Sequence, residues 1–154
     1  MRPNEASYVL LPNQTAIIEM ASCAGLHLLT QSERDPSIAT TYGVGEMLLD
    51  AIDKGAKHII LGIGGSATND AGTGMLKALG YRFLDAQHHE LAQGGKALAA
   101  LAFIDSSGVS DKIADISITV ACDVTNPLCG KLGASHVYAC LLYTSPSPRD
   151  RTRS

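Results

Sequence analysis

The sequence predicts an α/β protein whose sheet is mainly parallel and is flanked by helices. Three observations predict it: a helical stripe at residues 44–54, a nearly unbroken apolar run at 59–63, and a glycine-rich loop with a second helical stripe behind it. Alternating strand and helix patterns are typical of folds in which helices connect parallel strands.

The first two predicted elements are a strand at residues 15–20 and a helix at 44–54. The sequence TAIIEM of the strand is short, apolar and partly β-branched. The helix repeats its apolar side chains at helical spacing, and these are Val44, Met47, Leu48, Ala51 and Ile52. Gly55 follows as a stop signal, so this helix is expected to lie on the sheet.

The strand at 59–63 is predicted to be central, because an apolar run without alternation is typical of a strand buried on both faces. A helix over 71–79, ended by Gly80, and a short strand at 81–84 complete a predicted βαβ unit with parallel strands. Residues 116–122 alternate apolar and polar side chains, which predicts a further strand with one face more buried than the other.

Composition and charge exclude several classes of protein. The 154 residues include 12 basic and 15 acidic ones, and no basic stripe is present, so no nucleic-acid partner is expected. No apolar stretch is long enough to span a bilayer and no signal peptide is recognisable, which predicts a cytoplasmic protein without a membrane partner. The four cysteines lack zinc-site spacing, and no protein metal site is predicted.

Two parts of the chain differ in composition. Residues 139–154, ACLLYTSPSPRDRTRS, have no helical or strand period and resemble a disordered segment. A regulatory tail and a non-native end are the two interpretations, and we expect the second. Residues 1–138 are interpreted as the α/β part.

The glycine-rich loop at 62–74 is the most informative stretch, with five glycines in thirteen positions directly after the apolar strand. Glycine allows a positive φ and close approach of a ligand, and successive amides can form a concavity that binds anions. The loop is therefore predicted to bind phosphate or substrate. Its candidate binding residues are Gly64, Gly65, Ser66, Thr68 and Asn69.

Two known glycine motifs compete with this interpretation. The P-loop pattern fails because Gly95 and Lys96 are followed by alanine. The dinucleotide fingerprint G-x-G-x-x-A is present from Gly62 to Ala67, and Asp85 ends the next predicted strand, so an NAD-dependent dehydrogenase is an alternative.

The start of the next helix weighs against that alternative. The dinucleotide motif needs a helix that begins near Gly65, but the glycines at 72 and 74 would then each cost about 1 kcal/mol relative to alanine. We therefore expect a later start, with Asn69 or Asp70 as the N-cap.

Two acids are the candidate catalytic residues. Asp70 belongs to the loop, while Asp123 and Asn126 follow the predicted strand at 116–122. If the strands are parallel, both segments lie at the carboxyl edge of one sheet, where α/β proteins bind ligands. An Asx turn before Pro127 is the alternative for Asp123. Acids, small donors and glycines suit phosphoryl transfer, in which Mg²⁺ shields the phosphates and an acid handles the attacking hydroxyl.

Two other residues have competing interpretations. Arg34 is either a bidentate clamp for a carboxylate or phosphate, or the partner of Asp35 in a local turn. Cys122 is interpreted as a buried strand residue, since no histidine lies near it in sequence to activate a thiol.

Several segments, taken in order, resemble the type-1 bacterial glycerate kinases. They are IIEMA at 17–21, RDP at 34–36, TYGVGE at 41–46, GIGGSATND at 62–70 and ACDVTNPL at 121–128. The resemblance extends from Ala6 to Tyr138. It implies ATP-dependent phosphorylation of D-glycerate to a phosphoglycerate, with ATP and Mg²⁺ as cofactors.

The resemblance also implies a fold of two α/β domains, one inserted into the other. Members of that family are well over twice as long as this chain, so the chain is interpreted as the central portion of such a kinase. The alternative to a kinase function is a non-catalytic module that binds a nucleotide or an organic acid.

Overall fold

The computed structural model describes residues 4–122, 124–126 and 133. The helices and strands are β1 (Val9–Leu10), β2 (Thr15–Glu19), α1 (Ala21–Ala24), α2 (Tyr42–Asp53), β3 (His58–Gly62), α3 (Thr73–Ala78), β4 (Arg82–Leu84), β5 (Phe103–Asp105) and β6 (Ser117–Ala121). Short 3₁₀ turns lie at Leu26–Leu28, Gln31–Glu33, Gly95–Ala100 and Asp111–Ile113. None of the helices in these ranges is long and apolar enough to cross a membrane.

The main sheet has the strand order β1-β2-β3-β6, and β2, β3 and β6 are parallel. This confirms that β3 is central. Strand β6 runs beside it in the same direction, which meets the condition set for a shared carboxyl edge. The register aligns Glu19 with Gly62, and Gly62 with Ala121. The segments that follow these three residues therefore leave the sheet at one edge, its carboxyl edge.

The core lies between the sheet and α2. The predicted apolar stripe of α2 packs against side chains of β2 and β3, with Ala16, Ile18, Ile59 and Leu61 at most 3% exposed. In turn, α3 packs on α2 at Gly45, where an added Cβ would lie 2.6 Å from the Cβ of Ala78. Gly55, at φ +98°, ends this stretch, as the sequence predicted.

The prediction that β3 is buried on both faces is wrong. Ile60 is 37% exposed and its neighbour Ile17 is 39% exposed, because the described residues place helices on the opposite face only. The prediction that β6 has one more buried face is also wrong. Ile118 and Val120 are 43% and 52% exposed, although they share the face of Ile59 and Leu61 through the parallel register.

The predicted βαβ unit is wrong in its last strand. Strand β4 does not join the main sheet but pairs antiparallel with β5 in a separate two-stranded sheet. Gly80, at φ +101°, turns the chain out of α3 and packs so closely on Gly108 that a side chain would not fit. The chain continues from this turn into the antiparallel β4–β5 pair instead of the parallel sheet.

Asp85 consequently has a local role. Its Oδ1 accepts hydrogen bonds from the amides of Gln87 and His89, at 2.8 and 2.9 Å. The His89 amide is the main reason that the pKa of the Asp85 carboxyl is below its ordinary value. The dehydrogenase interpretation thereby loses its ribose-binding acid, since Asp85 follows a strand of the separate sheet.

Candidate functional site

The glycine loop leaves the carboxyl edge of the sheet directly after β3. Gly64 and Gly65 are exposed, and Gly65 has a φ of +71°, which favours glycine. Gly64 and Gly65 form a hydrogen-bonded turn, and their own amides donate to no acceptor among the described residues. Two successive donors are thus available to a ligand, as an anion-binding concavity requires.

The first half of the loop is held by the segment around α1. The amide of Leu26 donates to the carbonyl of Gly65 at 3.1 Å, and the amide of Ala67 donates to the carbonyl of Ala24 at 2.7 Å. Ala67 is also 3% exposed. The exposed turn at Gly64 and Gly65 is therefore fixed at both ends. Gly62 before it belongs to β3, and Ala67 after it is hydrogen-bonded to Ala24.

The second half of the loop is held by residues 36–39. The hydroxyl of Thr68 donates to the carbonyl of Ala39 at 2.8 Å, and the amide of Asn69 donates to the carbonyl of Pro36 at 3.3 Å. The sequence predicts Thr68 to be a ligand donor, but its hydroxyl proton is used in this hydrogen bond within the fold. Its oxygen lone pairs are the part that remains for a ligand.

Asp70 lies in the interior, 1% exposed, and both of its carboxylate oxygens are engaged. Oδ2 accepts hydrogen bonds from the amide and the hydroxyl of Thr41, at 2.8 and 2.9 Å, and from the amide of Gly74 at 3.1 Å. Oδ1 accepts one from the amide of Gly72 at 3.0 Å. We call this set of four bonds the Asp70 lock. It fastens the loop to the first turn of α3 and to the start of α2.

The late start of the helix is confirmed, but the predicted cap is wrong. Gly72, at φ +76°, is the N-cap of α3, and Asp70 reaches the first amides of the helix from two residues earlier. Positive φ values at both Ala71 and Gly72 bend the chain so that it can do so. The catalytic assignment of Asp70 stays a prediction.

Residues 122 and 124–126 follow β6 at the same edge of the sheet as the glycine loop, because β6 pairs with β3 in parallel. Asn126 is exposed there, and Asp123 lies outside the described residues, so its convergence with Asp70 stays a prediction. Cys122 is exposed, with its Sγ 3.4 Å from the carbonyl oxygen of Val124, so the prediction of a buried Cys122 is wrong. The residue follows the end of β6 instead of lying within it.

Sequence reasoning missed two residues of this region. Thr41 is 2% exposed and both donates to Asp70 and accepts a hydrogen bond from the amide of Met75 at 2.8 Å. A pair of threonines directly before a helical stripe was the available signal. Glu19 ends β2 beside Gly62 and is exposed, which adds a carboxylate to the carboxyl edge of the sheet.

A separate surface groove of about 350 Å³ lies between residues 6–10 and α2. Its polar lining is an exposed cluster in which Asp50 accepts a hydrogen bond from Tyr8 at 2.6 Å and pairs with Lys54 at 2.7 Å. The Lys54 bond, above all, lowers the pKa of Asp50. None of the predicted site residues lines this groove.

The thiol of Cys23 is unsuited to nucleophilic chemistry. It is partly buried in α1, and burial, with a smaller contribution from Glu46, raises its pKa to about 11. We expect Cys23 to react with iodoacetamide at pH 8 at least about tenfold more slowly than exposed Cys122, because only the thiolate attacks. Mass spectrometry of a Cys129→Ser/Cys140→Ser chain measures both rates, and equal rates would contradict the expectation.

The pH dependence of this labelling follows from the same shift. The rate at Cys23 should keep rising as the pH approaches 11, since the thiolate fraction grows up to the raised pKa. The same measurement in guanidinium chloride is the control, because unfolding removes the burial that protects Cys23.

Fold and loop together define the class of protein. A parallel sheet with a glycine-rich loop at its carboxyl edge, after the central strand, is the arrangement by which α/β proteins bind small anionic ligands. Residues 1–140 match the glycerate kinase family. The chain belongs to that family.

Individual relatives agree with this assignment. The chain is 51% identical over 125 residues to the glycerate kinase of Bacillus subtilis (strain 168) and 50% identical over 125 residues to the glycerate 2-kinase of Escherichia coli (strain K12). Each match covers 81% of this chain and 33% of the relative. The chain thus spans about a third of the length of these curated relatives.

A solved structure supports the fold. A crystal structure from Salmonella typhimurium LT2, assigned as glycerate kinase 2, superimposes with a TM-score of 0.84 at 48% sequence identity. The match covers 94% of this chain and 39% of the other. The α/β fold expected from the sequence is thereby confirmed.

Proposed function

We propose that the chain carries the glycine-loop part of a glycerate kinase site, at which a phosphoryl group passes from ATP to a hydroxyl of D-glycerate. The observation that carries this proposal is the exposed turn at Gly64 and Gly65, whose amides are available at the carboxyl edge of the sheet. Membership of the glycerate kinase family supports the substrate, as do the names of the relatives.

In this proposal the backbone and the side chains of the loop have different tasks. The amides of Gly64 and Gly65 bind phosphate oxygens, because preorganised amides stabilise developing charge without reorganisation. The side chain of Ser66 adds a hydroxyl next to them. Asn69 and Asn126 add side-chain amides from the loop and from the neighbouring segment. Thr68 adds its hydroxyl oxygen while it holds the loop to Ala39.

The acids Asp70 and Asp123 remain the candidates for handling the substrate hydroxyl. Asp70 reaches a ligand only if bonds of its lock open, because both oxygens are engaged. In the sequence, Asp123 comes two residues after the end of β6. We therefore assign to Asp123 the direct role of handling the substrate hydroxyl. Asp70 in turn holds the loop in the shape that binds phosphate.

Magnesium fits this arrangement as a companion of the nucleotide. Mg²⁺ usually takes one or two carboxylates together with substrate phosphates and waters. The part of the chain that the structure describes contains no group of three His, Cys, Asp or Glu side chains that could hold a metal ion. Bound with ATP, the ion would neutralise phosphate charge, and the residues described above would position the phosphates.

The 2-hydroxyl is the proposed acceptor. The Escherichia coli relative, 50% identical over the matched residues, is named a glycerate 2-kinase.

The cytoplasmic location expected from the sequence accompanies this proposal as a prediction, since a kinase of a small organic acid draws on ATP.

The test incubates the 154-residue chain with ATP, Mg²⁺ and D-glycerate and follows ³¹P NMR, which separates 2- from 3-phosphoglycerate. We expect the chain to bind ATP, and we expect 2-phosphoglycerate once the rest of the site is supplied. Gly64→Ala should lose ATP binding while it keeps its fold, since a Cβ there meets no protein atom within 4 Å. A parallel chimera, in which residues 6–126 replace the matching segment of the Bacillus subtilis enzyme, supplies the rest of a full-length relative.

The outcomes separate the alternatives. Binding of ATP and D-glycerate by the chain without turnover in the chain or in the chimera would favour the non-catalytic binding module. Absence of both binding and turnover in chain and chimera would refute the proposal.

A further inference from the structure

The guanidinium of Arg34 has no partner among the residues that the structure describes. Its Nε is buried and donates no hydrogen bond within the described part of the chain. Nor does the group form an ion pair with any residue described there, and Arg34 as a whole is only half-buried. A buried donor without an acceptor costs free energy, and a ligand that accepts a hydrogen bond from it would remove that cost.

The competing interpretation of Arg34, a local turn pair with Asp35, is not what the structure contains. Oδ1 of Asp35 accepts hydrogen bonds from the amide and the hydroxyl of Ser37, at 2.9 and 2.6 Å. On the other side, Oε2 of Glu33 accepts from the amide and the hydroxyl of Thr30, at 2.9 and 2.8 Å. Both flanking carboxylates are thus turned to other residues, and the positive charge of Arg34 is left for an external anion.

The backbone places Arg34 at the border of the glycine loop. Arg34 is the centre of an inverse γ-turn, with φ −74° and ψ 79° and a 2.9 Å bond from the amide of Asp35 to the carbonyl of Glu33. Two residues later, the carbonyl of Pro36 accepts the amide of Asn69 at 3.3 Å. The turn that carries Arg34 is therefore fixed to the same loop that exposes Gly64 and Gly65.

We propose that Arg34 binds the carboxylate of the hydroxy-acid substrate, an inference that rests on the proposed function. The planar guanidinium fork matches a carboxylate in bidentate geometry. The free amides of the loop match the tetrahedral oxygens of a phosphate, which leaves the carboxylate as the anionic group without an assigned partner. A phosphate of the nucleotide offers the same oxyanion chemistry, and the test separates the two sources.

The test measures equilibrium binding to the full chain by isothermal titration calorimetry. The ligands are D-glycerate, ATP and glycerol, which lacks the carboxylate. The variants are Arg34→Gln and Arg34→Lys, with Arg82→Gln as the control, because Arg82 is an exposed arginine on the β4–β5 hairpin that pairs with Asp105 at 3.5 Å. Circular dichroism checks that each variant keeps its fold.

We expect Arg34→Gln to weaken D-glycerate binding by at least about tenfold, because a charge-assisted bidentate pair is lost, and to leave ATP binding within about twofold. Its preference for D-glycerate over glycerol should disappear, and Arg34→Lys should retain part of it. A folded Arg34→Gln chain with unchanged D-glycerate affinity would overturn the inference and leave the proposed function intact. A loss confined to ATP would also overturn it and assign Arg34 to the nucleotide. If the unmodified chain binds neither ATP nor D-glycerate, the proposed function fails and the inference falls with it.

Discussion

Replacement of Gly74 by alanine is expected to lower the free energy of unfolding by about 2 to 3 kcal/mol, the upper part of the usual range for overpacking a close-packed site. An added Cβ would lie 2.7 Å from the amide nitrogen of Tyr42 and 2.8 Å from Oδ2 of Asp70, and closer still to the hydroxyl of Thr40. These neighbours are backbone or members of buried polar contacts, so they cannot move aside cheaply. Urea denaturation followed by circular dichroism measures the change.

Gly64 provides the matched control within the same loop. A Cβ at this position meets no protein atom within 4 Å, and Gly64 is not among the glycines with a positive φ. Gly64→Ala should therefore change the free energy of unfolding by no more than about 0.5 kcal/mol. Equal losses for the two variants would show that loop flexibility, and not the close approach at Gly74, determines the cost.

The contrast between these glycines has a functional meaning. Gly74 is required by packing, because α3 must approach the start of α2 at the Asp70 lock. Gly64 is exposed and has no such packing requirement, so its lack of a side chain is explained by what approaches from outside. The loop thus combines glycines that serve the fold with glycines that serve a ligand, and the sequence alone does not distinguish them.

Local patterns predicted the fold best where an element carries its own information. The stripe of α2 was recognisable because five apolar side chains at helical spacing need no knowledge of their partner. The strand pattern at 116–122 predicted β6, whereas its parallel run beside β3 entered only as the condition for a shared carboxyl edge, and the structure meets that condition.

The errors concern features that depend on distant parts of the chain. Burial of Ile60 requires a second layer that the described residues do not provide, and no pattern within 59–63 reports that. The partner of β4 is selected by the close packing of Gly80 on Gly108, which lie 28 positions apart. The β4–β5 pairing is therefore a tertiary property, and periodicity within 81–84 could not reveal it.

The candidate site was predictable in its backbone and less so in its side chains. Glycine content alone predicted the exposed turn at the end of β3. The role of Asp70 depends instead on left-handed conformations at Ala71 and Gly72, which redirect its carboxylate to the amides of Gly72 and Gly74. An alanine at positive φ is uncommon, so a sequence pattern could not have predicted it.

Asp70→Asn is expected to destabilise the chain by about 3 kcal/mol, since charged hydrogen bonds are lost and buried donors are left unpaired. The carboxylate accepts four hydrogen bonds, from three amides and one hydroxyl. An asparagine of the same shape has one acceptor oxygen, and its NH₂ group would face donors that it cannot satisfy. The measurement is the free energy of unfolding in urea.

The control is Asp53→Asn, because Asp53 is exposed and pairs with Lys112 at 2.6 Å on the surface. Such pairs contribute at most about 1 kcal/mol, so this variant should unfold almost as the parent chain does. A double-mutant cycle of Asp70→Asn with Thr41→Val then isolates the bond between the two buried side chains, and we expect a coupling above about 1 kcal/mol.

The result also separates positioning from catalysis at Asp70. If the residue holds the loop, Asp70→Asn loses stability and ATP binding together, because the amides of Gly64 and Gly65 lose their fixed geometry. If it acts directly on the substrate, the variant keeps its stability and its ATP affinity while turnover in the Bacillus subtilis chimera falls. Unchanged stability with reduced turnover would therefore refute a structural role of the Asp70 lock. Asp70 would then be assigned a direct catalytic role.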